Sequence, residues 1–171
     1  DECSRGSLRY IQEKFAKVSI RNCLSNLYTT LRSSKDDGPR MIIGSLTSEH
    51  ENLDTLIHII VAQNIGWDVT YVGNSIPHDE MTYMANKIEA RTIVVALNNP
   101  RDIARKTYEI KTMKELADMK DNIVLIGTQA SNYRQIADDV KAIISQDLSS
   151  FRLTLERLYG LSLIHISEPT R

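Results

Sequence analysis

The segment Thr92 to Leu97 reads Thr-Ile-Val-Val-Ala-Leu, a strand-length run that is apolar on both faces. Such a strand has no side to give to water. It has to lie inside a sheet that is covered above and below, which is the situation of a parallel sheet with helices on both faces. The rest of the chain after Pro39 agrees, because short β-rich runs alternate with amphipathic stretches. Strands are expected at Arg40 to Leu46, Trp67 to Val72 (ending at Gly73), Thr92 to Leu97, Asn122 to Ile126 (ending at Gly127) and Val140 to Ser145. Helices are expected between them and after the last: Glu49 to Ile65, Asp79 to Glu89, Asp102 to Met119, Tyr133 to Asp138 and Leu148 to Tyr159. In the first of these, Leu53, Leu56, Ile57, Ile60 and Val61 point inward, and Gly66 is placed to cap its C-terminus. The fold class that follows is α/β: a Rossmann-like, flavodoxin-like, doubly wound five-stranded parallel sheet with the first strand central beside the third.

Upstream, Leu8 to Ser33 has helical periodicity. Leu8, Ile11, Phe15 and Val18 form one apolar row, and Ile20, Leu24, Leu27, Tyr28 and Leu31 a second on a shifted face. Cys23 is expected on its buried side. Ser33 to Pro39, with Asp-Gly and Gly-Pro steps, is the best internal boundary. Residues 1–37 therefore read as the last helix of a truncated helical bundle, and 38–160 as the α/β domain. Leu161 to Arg171 is similar to the translation of a sequencing-library transposon adapter and is set outside the native fold.

Composition narrows the function. The formal net charge of -1 supplies no basic excess for a chain devoted to nucleic acid. Two cysteines make neither a disulfide framework nor a four-ligand zinc site, and a reduced, cytoplasmic setting is expected. The longest apolar run, around Ile57 to Ala62, is far short of the ~20 residues that span a bilayer, so no membrane partner is expected.

In a doubly wound sheet, ligands sit outside the C-terminal strand ends at the switch point. The loops there are Ser45 to Glu51, Gly73 to His78, Leu97 to Pro100 and Gly127 to Ser131. His50 stands between Glu49 and Glu51 and is the candidate metal ligand. The same residues read more simply as a capping box, Ser48-x-x-Glu51, with acids complementing the helix dipole. Asp54 and His58 are four apart and are expected to form an exposed pair. No nucleophile elbow, phosphate loop or dinucleotide fingerprint occurs, so no enzymatic activity is expected.

The stretch from Met41 to Glu51, an amphipathic helix, and then Gly66-Trp-Asp-Val-Thr-Tyr-Val-Gly-Asn-Ser-Ile-Pro77 resemble the cobalamin-binding domain, as found in the sensory half of MerR-type transcriptional regulators. The helix from Glu13 to Leu24 is similar to the last bundle helix of those proteins. The resemblance covers roughly residues 8–160. It implies a cobalamin-binding sensory or dimerisation domain, a homo-oligomer, and contact with DNA only through a domain upstream. It implies a crevice made by Glu49, His50, Glu51, Asp54, Gly73, Asn98, Gly127 and Thr128, faced from the bundle by Glu13 and Lys14.

The departures from the family are specific. Its motif is Asp/Glu-x-His-x-x-Gly, whose histidine becomes the lower ligand of cobalt. Here Glu49 keeps the acidic position, but Glu51 stands at the ligand and Asp54 at the glycine, and His50 is one residue off. Lys14 stands where the family carries a histidine above the cofactor. Asn98 and Thr128 stand near positions where small residues let the nucleotide tail pass, and Thr128 is expected to narrow that route. An anionic oxygen is a poor substitute for imidazole on cobalt. The resemblance thus implies weakened or lost His-ligated cobalamin binding. A corrinoid carrier of a methyltransferase system is the alternative class, and haem held by His50 or His58 is the alternative cofactor.

Overall fold

Among the described residues, strands and α-helices alternate after the first helix, with one short 3-10 helix (Ala130–Tyr133) before the fifth α-helix. The strands and α-helices are α1 (Tyr10–Arg32), β1 (Arg40–Leu46), α2 (Leu53–Ile65), β2 (Asp68–Ile76), α3 (His78–Lys87), β3 (Thr92–Ala96), α4 (Ile103–Leu116), β4 (Asn122–Ile126), α5 (Arg134–Val140), β5 (Ile143–Ser145) and α6 (Leu148–Ile166). This is a computed structural model. It describes residues 9–32, 38–46, 53–117 and 122–166, with side chains up to residue 160. The expected capping box and the site residues Glu49, His50 and Glu51 lie outside the described residues.

The sheet is parallel throughout, in the order β2-β1-β3-β4-β5. The first strand lies beside the third, as the alternation required. Each inner strand divides its side chains between two cores. Ile42, Ile93, Val95, Ile123 and Leu125 enter the core with residues of α3, α4 and α5. Met41, Ile43, Val94, Ala96, Val124 and Ile126 enter the other, with Leu56, Ile59 and Ala62 of α2 and Phe151, Leu155 and Leu158 of α6. Burying a side chain of this size contributes about 1.5–3 kcal/mol, so these doubly apolar strands are what the two helical layers close upon.

Helix α2 ends as expected. The Gly66 N–H donates to the Gln63 carbonyl and the Trp67 N–H to the Ala62 carbonyl, with Gly66 at φ +114°. These are the two bonds of a Schellman motif. Trp67 then buries its ring in the core beside α6, edge-on to Tyr159 at 6.1 Å between centroids.

Several expectations are corrected. β2 does not stop at Gly73 but continues to Ile76. The register jumps from Ile43 opposite Tyr71 to Gly44 opposite Gly73, so Gly73 (φ +94°) sits at a bulge, not at a strand end. A Cβ on Gly44 would meet a Val72 methyl at 2.6 Å, so the two strands approach closely only because that residue is glycine. β5 begins at Ile143, because Val140 closes α5. Lys141 adopts φ +57°, and the Lys141 and Ala142 amides return to Asp138 and Ala137. A non-glycine residue here does what glycine normally does, which is why composition hides the stop. Cys23 is exposed, not buried. His58, finally, is buried, not half of an exposed pair.

The last two corrections follow from how α2 is covered, by α6 through Phe151 and by α1. Leu24 and Tyr28 pack toward the α2 side of the sheet, and Gln63 Nε2 donates to the Tyr28 carbonyl at 3.3 Å. α2 is therefore covered by the sheet on one side and by α1 and α6 on others. Thr55, His58 and Gln63 are buried with its apolar residues. The expected first apolar row of α1 faces outward instead: Ile11, Phe15 (74% exposed) and Val18 pack against nothing comparable among the described residues.

Candidate functional site

β1 is flanked by β2 and β3, and the chain leaves it toward one neighbour and returns to the other. The described loops at the C-terminal strand ends are tied together by polar bonds. The Ser45 hydroxyl donates to Asn74 Oδ1 at 3.1 Å, joining the ends of β1 and β2. The Thr128 N–H donates to Asn98 Oδ1 at 3.1 Å, and the Gln129 N–H to the Leu97 carbonyl at 2.9 Å. Gly127 (φ +103°) makes this junction possible. A Cβ there would stand 2.6 Å from both Asn98 Oδ1 and the Leu97 carbonyl oxygen. The Asn98–Asn99 loop is held from below by Lys106 of α4, which is fully buried and donates from Nζ to the Asn99 carbonyl at 3.0 Å.

Beside this junction lies a cavity of about 440 Å³. Its walls come from three places: Asp54, Ile57 and His58 of α2; Gly127 and Thr128 after β4; and Gln146, Asp147, Leu148 and Ser149 at the start of α6. The cavity lies where the glycine turn after β4 meets the N-terminal ends of α2 and α6. Thr128 lines the wall.

His58 is 7% exposed and meets Phe151 edge to face, with ring centroids 4.9 Å apart. Its Nδ1 lies 2.6 Å from the Asp54 carbonyl oxygen. A carbonyl oxygen carries no proton, so Nδ1 must be the protonated nitrogen. Burial pushes the imidazole below its ordinary value of 6.5, against the opposing pull of the Asp54 carbonyl and carboxylate. The ring is thus neutral at pH 7, with Nδ1 as donor and Nε2 as acceptor.

Asp147 is the N-cap of α6. Its Oδ1 accepts from the Ser150 N–H at 2.7 Å, and its own N–H donates to the Ser150 hydroxyl at 3.1 Å. The Ser150 backbone bond comes first among the causes that hold its carboxyl below the ordinary carboxylate value. The N-terminal end of α6 is thus already capped by a carboxylate. With Asp54 also in the wall, the cavity offers two acidic groups and a neutral imidazole, and no basic side chain lines it among the described residues.

The structure brings together Asp54, Gly127 and Thr128 in the wall and Asn98 directly behind it. Gly73 sits at the β2 bulge, outside the wall. Glu13 pairs with Lys17 at 2.5 Å along α1, and Lys14 lies over the Tyr10 ring at 5.4 Å; neither lines the cavity. Among the described residues no cluster of three or more histidine, cysteine or acidic side chains is arranged to hold a metal ion. No described helix is long and apolar enough to cross a membrane. Sequence reasoning missed His58 and the segment Gln146 to Ser149 as cavity residues. The Asp147-x-x-Ser150 pattern before an apolar helix was the available signal for the second.

Neither a family model nor a curated protein matches the chain. Solved structures do. A monomethylamine corrinoid protein of Methanosarcina barkeri superposes with a TM-score of 0.70 at 9% identity, over 91% of this chain and 74% of that one. The fold is one that cobalamin-binding proteins share. A cobalamin-binding protein of Desulfitobacterium hafniense gives a TM-score of 0.61 at 9% identity, over 86% and 75% of the two chains. A diflavin flavoprotein of Nostoc sp. gives 0.50 at 11% identity, over 77% and 99%. The sheet order is the flavodoxin-like one common to doubly wound folds. At these identities the likeness is one of fold.

Proposed function

We propose that this chain is a corrinoid-binding module with a sensory or regulatory role and no catalysis of its own. The observation that carries the reading is the cavity between α2 and α6 at the C-terminal end of the sheet, on a fold shared with cobalamin-binding proteins. Its volume suits a planar base with its sugar, and its partly apolar wall suits a ligand that is buried without charge. The residues present therefore fit the uncharged part of a nucleotide tail. When bound, a corrinoid would supply a cobalt centre able to exchange ligands.

The work of the chain's own residues is to bind and orient. Gly127 and the Asn98–Thr128 bond set the floor of the cavity, His58 and Ile57 one wall, and the Asp147-capped start of α6 the other. Because Glu51 occupies the family's ligand position, the corrinoid is held by its tail and not by a histidine at that position. Signalling to DNA would run through another domain, and the outward apolar face of α1 suits the packing of further helices.

Gel filtration of the purified protein mixed with cobalamin tests the reading. The expected result is a corrinoid band that travels with the protein and shows no imidazole ligand in its visible spectrum. A protein peak free of corrinoid absorbance would reject it. The likeness to the monomethylamine corrinoid protein favours a second reading, a corrinoid carrier serving a methyltransferase. That role wants the ligand histidine where this chain has Glu51. An imidazole-ligated spectrum would move the assignment to it. These likenesses give no support to haem.

A further inference from the structure

We propose that His58 makes the cavity selective for a planar base that carries an N–H donor, so that an adenine-tailed corrinoid is held in preference to one whose base lacks such a donor. The proposal rests on the corrinoid reading and adds to it the chemistry of the tail.

The argument begins with one bond. Nδ1 of His58 is 2.6 Å from the Asp54 carbonyl oxygen, so its proton is committed to that bond. The tautomer cannot reverse without setting a lone pair against the carbonyl oxygen. It cannot rotate freely either, because the ring is 7% exposed and packed edge-on against Phe151. His58 lines the cavity and its Nδ1 is committed to its own helix, so Nε2 is the hydrogen-bonding atom that the ring has left for a ligand there. Nε2 carries a lone pair and accepts no hydrogen bond from any described residue.

A ligand base that fills the cavity displaces water from this acceptor. A base with an exocyclic amino group returns a hydrogen bond to it. A benzimidazole or an unsubstituted purine, joined to its sugar through a ring nitrogen, presents only lone pairs and C–H edges, and leaves Nε2 unsatisfied. An unmet buried polar group is the kind of penalty that discriminates sharply between otherwise similar ligands. For one contact of this type the expected preference is about tenfold. Asp54 and Asp147 add acceptors to the wall, while Thr128, Gln146 and Ser149 can donate as well as accept, so His58 is the neutral group in the wall that can only accept.

The test is a spectroscopic titration of the purified protein with three corrinoids: one with an adenine tail, one with an unsubstituted purine tail, and cobinamide, which has no nucleotide tail. Adenine and purine differ by the amino group alone. The expected order is adenine about tenfold tighter than purine, with cobinamide weakest. His58→Phe keeps an aromatic ring against Phe151 and removes the acceptor, and should bring adenine and purine to equal affinity. Equal affinities for adenine and purine in the unaltered protein would overturn the proposal without any variant. So would a preference that survives in folded His58→Phe. Equal binding of all three, cobinamide included, would show that the tail stays outside the cavity, which overturns this proposal and leaves corrinoid binding intact. Failure of all three to bind would reject the corrinoid reading itself.

Discussion

His58 directs its Nδ1–H onto the carbonyl oxygen of Asp54, one helical turn earlier, and by doing so fixes which of its nitrogens remains available in the cavity. The two residues are related through the backbone of α2 and not through a carboxylate–imidazole pair. That distinction decides how the protein should respond to pH and to substitution.

The imidazole is held below 6.5, chiefly by burial. In the unfolded chain it titrates near the ordinary value of about 6.5. Between the two values the unfolded chain takes up a proton that the folded chain refuses, so stability rises with pH across that window. The contribution of His58 is complete above about pH 6.5 and is lost as pH falls toward the folded value. Thermal unfolding from about pH 7.5 to about pH 5 should show the unaltered protein losing ground to His58→Phe as pH drops. A difference between the two that does not change with pH would contradict the assignment.

Gly127 is required twice over, by φ +103° and by the 2.6 Å approach of Asn98 and Leu97 to its missing Cβ. Gly127→Ala should cost about 1–3 kcal/mol from backbone strain alone. It should also pull Thr128 from Asn98 and weaken corrinoid binding beyond the loss of stability. Urea unfolding gives the first quantity and the spectroscopic titration the second. A variant as stable as the parent would mean that the junction relaxes freely.

Lys106 is a fully buried lysine whose Nζ reaches the Asn99 carbonyl at 3.0 Å. Lys106→Met keeps most of the stem and removes the donor, and should cost about 1 kcal/mol. Lys106→Ala also opens a void, with a cost of about 2–5 kcal/mol. Chemical denaturation of both variants checks the order. A Met variant more stable than the parent would show that burying the ammonium costs more than its bond returns.

The layered sheet was legible because its signal is local and redundant. Thr92 to Ala96, Met41 to Ile43 and Ile123 to Ile126 each demand cover on two sides, and parallel strands with helical crossovers meet that demand. The cap at Gly66 was legible for the same reason, since its chemistry lies within a few residues of chain. The stop at Lys141 was not. Its positive φ sits on a residue that composition does not associate with helix ends.

The cavity was legible only in part. Gly127, Thr128 and Asn98 belong to loops that the strand order places at the switch point, so naming the loops found them. His58 did not follow from that reasoning. Its spacing from Asp54 describes an exposed helix pair equally well, and what buries it is Phe151, far along the chain on α6, together with the seat of α1 against α2.

By itself, then, the sequence determined the number and kind of elements, the parallel order of the sheet and the loops that meet at its C-terminal edge. Backbone geometry and hydrophobic periodicity act over short spans, and they can be read where they act. Tertiary structure alone decided that α2 is covered nearly all round and that His58 is buried, neutral and fixed in one tautomer. It also decided that Asp54, Gly127 and Asp147 share a cavity. Those properties arise where segments distant in sequence remove water from one another, and burial of that kind is a property of the packed chain and not of any stretch within it.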